Sequence, residues 1–177
     1  MSRIQRETTH GSMASVQETG QRTLGDYQMA LHSLESEAIE CANPEAIYHE
    51  GSMLGMILPD SYSKGGVNFF TPDNFSQQLA YIEHPRGTVI PAHIHNHIVR
   101  QVEYTQEVLF VKRGRLRVDF YATDRTYVTS RTLGAGDVIL LASGGHGFEI
   151  LEDASFVEVK QGPYLGGLDK VRFDPHR

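Results

Sequence analysis

The segment Pro91-Ala92-His93-Ile94-His95-Asn96-His97 carries three of the chain's nine histidines at alternate positions. On an extended chain those three side chains point to one side, so neighbouring imidazoles can converge on one point. Protonated, they would repel; a metal ion selects the neutral form and turns the same neighbours into ligands. Such a row could equally make a polar rim, so two further residues matter. Glu107 opens the apolar run Glu107-Val108-Leu109-Phe110-Val111 and shares a face with Leu109 and Val111. A carboxylate aimed among aliphatic side chains needs a cationic partner, because burial alone is costly or forces protonation. His146, in Ser143-Gly144-Gly145-His146-Gly147, precedes another apolar run, and its flanking glycines leave room for a ligand. The plainer alternatives are a strand-end carboxylate at the solvent edge and a turn histidine.

Positioning these groups falls to a train of short strands. Gln78–Glu83, Thr88–His93, Glu107–Lys112, Leu116–Tyr121, Tyr127–Leu133, Val138–Leu141, Gly147–Leu151 and Ser155–Lys160 are predicted strands. Between them stand turn signals: Pro85-Arg86-Gly87, Arg113-Gly114, Thr123-Asp124, Gly134-Ala135-Gly136, Gly144-Gly145 and Glu152-Asp153. Many short strands without helical periodicity between them predict a sandwich or barrel. The run at Glu107 is apolar on both faces and must be covered on both, by an N-terminal helix or by a second subunit; a homodimer follows from the second option. That helix is predicted from Leu24, Tyr27, Leu31, Leu34, Ala38 and Cys41, one apolar stripe opened by a Thr23/Asp26 capping box and closed at Asn43-Pro44. The domain plan is a loose tail or fusion remnant over 1–22, a helix and strands over 23–74 that pack on a barrel, and the barrel itself over 75–177.

Composition bounds the partners. The chain has 177 residues, 40% hydrophobic and 21% charged, enough for one domain with its own core. A formal net charge of −6 argues against a phosphate-binding face, and nucleic acid is not an expected partner. No apolar run is long enough to cross a bilayer, and the polar N-terminal stretch lacks the apolar segment of a signal peptide. A single cysteine, Cys41, excludes an internal disulfide framework. The expectation is a cytoplasmic protein with a small-molecule substrate and no membrane association.

The arrangement of the chemical residues resembles the cupin superfamily. That family's first motif sets five residues between a Gly and His-X-His and six residues between a Glu and a Gly; here Gly87, His93-Ile94-His95, Glu107 and Gly114 match both ends. The gap between the halves is longer than in the family, running from Asn96 to Gln106. Its second motif, a Gly-Asp strand, a turn and a His, is similar to the stretch from Gly136-Asp137 to His146, without the family's proline and with Ile150 where the family has Asn. The resemblance implies an all-β, cupin-like double-stranded β-helix (jelly-roll barrel) with a short N-terminal helix. It implies His93, His95, Glu107 and His146 as ligands of one divalent transition metal; by the long gap, His95 and His97 could replace the first pair. Imidazole with carboxylate suits Fe, Mn, Ni, Co or Zn rather than Ca or Mg, and a closed structural zinc site would more often use cysteine. The function this implies is an enzyme acting on a small, oxygen-rich metabolite, leaning to sugar isomerisation or epimerisation. The inserted loop offers Glu103, Tyr104 or His97 to move the proton and Arg100 to hold an anionic group, the plainer alternative being a surface or dimer loop with solvated charges. The alternatives are a non-haem iron dioxygenase and a non-catalytic ligand-binding or sensor module.

Overall fold

The computed structural model describes residues 42–175. The predicted N-terminal helix, its capping box, Cys41 and the tail lie outside the described residues. Within them the chain is all-β: β1 (Glu45–His49), β2 (Ser52–Leu58), β3 (Gly66–Phe69), β4 (Ala80–Glu83), β5 (Glu107–Tyr121), β6 (Tyr127–Leu133), β7 (Val138–Leu141) and β8 (Gly145–Lys160), then a short 3-10 turn at Gly166–Leu168. β3 and β4 form a separate antiparallel pair, and the other six strands form one curled antiparallel sheet.

β5 is the spine of that sheet. One of its edges takes β7 along Glu107–Phe110 and then β6 along Leu116–Tyr121; the other takes β8 from end to end. β2 and then β1 extend the sheet beyond β7. β1 and β2 join through Glu50 and Gly51, both in left-handed backbone (φ 47° and 79°), the geometry of a two-residue hairpin turn whose twist matches the strands. Residues 45–58 are thus part of the main sheet.

The sequence predicts turns at Arg113-Gly114 and Glu152-Asp153, but the structure converts both into facing bulges within two long strands. The β5–β8 register shifts between Val111 and Leu116. Gly114 sits there with φ 78°, and a Cβ on it would strike the Asp153 carbonyl. An extra residue in a ladder bends the strand without ending it, so the long ribbon folds over. Leu109, Val111, Leu116, Val118 and Phe120 from both halves of β5 then meet Ile57, Leu133, Ile139 and Leu141 in one core. Complete burial of a side chain of this kind is worth about 1.5–3 kcal/mol.

A second cluster covers part of the opposite face. Val108, Leu140 and Met56 pack beneath Phe70, Phe75 and Leu79, so the cover sought for the Glu107 strand comes in part from the 70–79 segment. Phe110 on that face stays 43% exposed. The Gly136-Asp137 pair has a structural duty: the Asp137 carboxylate accepts hydrogen bonds from the backbone N–H of Gly134 at 2.8 Å and of Asp60 at 2.9 Å. The strand predicted at Thr88–His93 is absent. After the turn at Pro85 to Thr88, residues 84–106 form no ladder; Pro91 supplies no N–H, and the side chains through Thr105 are exposed.

Candidate functional site

Glu107 begins β5, and its inner-face neighbours are Leu109 and Val111, as the alternation predicts. The ladder pairs Glu107 with Lys160 at one end of β8 and Phe120 with His146 at the other. In a straight strand those two β8 residues would stand roughly 45 Å apart at about 3.3 Å per residue. In the folded ribbon both reach one carboxylate. Nε2 of His146 lies 3.3 Å from Oε2 of Glu107, and Nζ of Lys160 donates to Oε1 at 3.3 Å.

These contacts set the charge state. The hydrogen bond from His146, aided by the charges of His146 and Lys160, holds the Glu107 carboxyl down to about 2 against the opposing effect of burial. Glu107 is an anion at any physiological pH. Lys160 in turn is raised, first by its hydrogen bond to Glu158 and then by the charge of Glu107. Its ammonium lies 3.1 Å from Glu158, 3.6 Å from Asp169 and 5.3 Å from the Tyr164 ring centre. Phe148 lies beside His146 (5.4 Å between ring centres) and Phe156 beside Phe148 (6.2 Å). The cluster thus has a charged floor and an aromatic wall.

The other candidate ligands stand on the exposed 84–106 segment. The rings of His93 and His95 meet edge to face at 5.2 Å. Nδ1 of His93 lies 3.0 Å from the Pro91 carbonyl. A carbonyl only accepts, so Nδ1 is the donor, and in the neutral ring this leaves the lone pair on Nε2, the tautomer a metal-binding imidazole uses. The structure therefore brings the candidate ligands together as two separate pairs, Glu107 with His146 and His93 with His95. No three His, Cys, Asp or Glu side chains converge among the described residues. The donor chemistry fits a divalent transition metal: one ionised carboxylate and three imidazoles, one with its tautomer fixed.

His97 and Arg100 are exposed on the same segment. Glu103 and Tyr104 go elsewhere. With Gln106, Tyr48 and Phe75 they line a cavity of about 600 Å³ that neither Glu107 nor His146 borders. Gln106 is buried and anchors the end of the segment, its N–H donating to Oε1 of Gln161 at 2.7 Å. Lys160 is the member of this cluster that sequence reasoning missed, because its register opposite Glu107 is set by the folded ribbon. No helix of the described residues is long and apolar enough to cross a membrane. Comparison of the chain with family models, with curated proteins and with solved structures gave no match.

Proposed function

We propose that this chain is a divalent-metal-dependent enzyme on a cupin-like barrel, with His93, His95, Glu107 and His146 as the metal ligands. The observation that carries the reading is the contact between His146 and Glu107. Two donors from distant parts of the sequence meet at 3.3 Å with the carboxylate ionised. An ion such as Fe, Mn, Ni, Co or Zn, when bound, supplies a Lewis acid for a substrate oxygen. The chain's own residues have distinct tasks. Lys160 keeps Glu107 anionic from the oxygen that faces away from His146, and the Pro91 carbonyl fixes the His93 tautomer. Phe148 and Phe156 would give one side of the site an aromatic surface.

The substrate class this reading favours is a small oxygen-rich metabolite, and the reaction an isomerisation or epimerisation of a sugar or sugar derivative. Because Glu103 and Tyr104 line a separate cavity, His97 is the proton-moving group the reading keeps, with Arg100 as the anion-holding group. Titration with Co(II) tests the metal site. One equivalent should produce ligand-field absorption that His146→Ala and Glu107→Gln each abolish; unchanged spectra in both variants would overturn it. An oxygen electrode separates the reactions, since an isomerase is indifferent to anaerobic conditions and an iron dioxygenase stops.

Lys160 favours a second reading, a non-catalytic ligand-binding module. Its ammonium already meets the Glu107 charge, so the cluster can serve as an ion-paired clasp closing the ribbon. That reading predicts that Zn(II) leaves the His146 ring resonances where they are.

A further inference from the structure

β8 is sixteen residues long, and among the described residues β5 is its one strand partner. No other strand of the described residues pairs with its second edge, and none of its own residues is buried. Both faces nevertheless carry apolar side chains. Phe148, Ile150 and Phe156 lie opposite the core residues Val118, Leu116 and Val111, and Val157 and Val159 lie opposite Phe110 and Val108. A long, open, apolar strand edge is a template for another strand.

The same chain holds a segment suited to it. Thr88–Val102 is rich in β-branched residues. Among its residues Val89 is 83%, Ile94 94% and Val99 88% exposed, without a ladder of their own. On an extended chain Val89, His93, His95, His97 and Val99 form one row and Ile90, Ile94 and Ile98 the other. The first row would continue β8's inner face and the second its Val157/Val159 face. Pro91 is tolerated because an added strand is itself an edge. From His84 to Val102 the chain carries Arg86, Arg100 and four histidines and no acid. By contrast β8 carries four acids, of which Glu149, Glu152 and Glu158 already pair with Arg117, Arg115 and Lys160, and Asp153 makes no ion pair among the described residues.

We infer that two copies of this chain exchange these segments, each laying Thr88–Val102 along the open edge of the other's β8. One surface donates and the other accepts in both copies, so the exchange closes as a two-fold dimer. Its consequence for the metal centre rests on the function proposed above. His93 and His95 of one copy would then complete the Glu107/His146 half-site of the other.

Sedimentation in EDTA tests the exchange without metal. The wild-type chain should sediment as a dimer and the Ile94→Pro, Ile98→Pro double variant as a folded monomer, its thermal melt still cooperative and its far-UV β signal smaller only by the exchanged strand. These positions make no ladder in the single chain, so proline leaves its fold alone. A monomeric wild type, or a dimer that survives both prolines, overturns the inference. Metal in trans is tested by pairing a His93→Ala, His95→Ala chain with a Glu107→Gln, His146→Ala chain under two affinity tags. The selected heterodimer should carry about half the wild-type metal, because one of its two sites is whole. Dimers in which this pairing stays metal-free while the wild type binds metal would place the ligands within one chain and overturn the shared site. A wild type that dimerises but binds no metal would overturn the proposed function and leave the exchange standing.

Discussion

His146 and Lys160 stand at opposite ends of one strand and hold the same carboxylate, one on each oxygen of Glu107. That closure is a property of the whole β5–β8 ribbon. It exists because the ribbon folds over at the facing bulges, and it ties the geometry of the candidate metal donors to backbone conformation far from them.

Gly114→Ala tests that link. The position needs a left-handed backbone and lies against the Asp153 carbonyl, with no flexible side chain to yield. The substitution should cost about 2–4 kcal/mol in denaturant unfolding and should weaken Co(II) binding although residue 114 touches no donor. Unchanged stability would mean the bulge is not what folds the ribbon.

Glu107→Gln keeps the shape and removes the charge. Lys160 and His146 then face a neutral amide in a largely buried place, and stability in EDTA should fall by roughly 1–3 kcal/mol. A thermal melt in EDTA reads it. A neutral effect would mean that Glu158 and Asp169 alone satisfy Lys160.

Asp137→Asn removes one of two carboxylate acceptors, serving the backbone N–H of Gly134 or that of Asp60. About 1 kcal/mol of destabilisation is expected, with metal binding unaltered because the change sits in a turn. A loss of metal without a loss of stability would give Asp137 a role that its contacts do not predict.

Acid sensitivity follows from Glu45. Its hydrogen bonds from Arg131, outweighing the effect of burial, lower its pKa from 4.5. A depressed carboxyl stabilises the fold above its unfolded pKa, and the contribution is lost as pH falls through the lower folded value. The melting temperature should therefore drop between about pH 5 and about pH 3, and Glu45→Gln should make that limb shallower. The pair is half exposed, so the effect is at most about 1 kcal/mol. An identical acid limb in the variant would remove Glu45 from the account.

Much of the sheet was legible because alternation is a local signal. The faces of Glu107, Leu109 and Val111, and β6 and β7 in full, follow from period two and glycine turns. The bends at Arg113-Gly114 and Glu152-Asp153 were legible as breaks but not as bulges, since their residues suit either and the facing strand decides. Thr88–His93 reads as a strand by propensity, yet a strand needs a partner, and the described residues of the single chain give it none. That Glu107 and His146 share one centre was implied by the resemblance alone; the approach of Lys160 was not, because it depends on the fold of the whole ribbon. Glu103 and Tyr104 were drawn to the site by proximity in sequence, and the 101–106 stretch carries them to another cavity.

The most direct test is elemental analysis of the purified chain beside its His93→Ala, His95→Ala variant, with both confirmed folded by circular dichroism. The account predicts near-stoichiometric transition metal in the first and none in the second. Equal metal in the two, or none in either after dialysis against Fe(II), Mn(II), Ni(II), Co(II) and Zn(II), would contradict it.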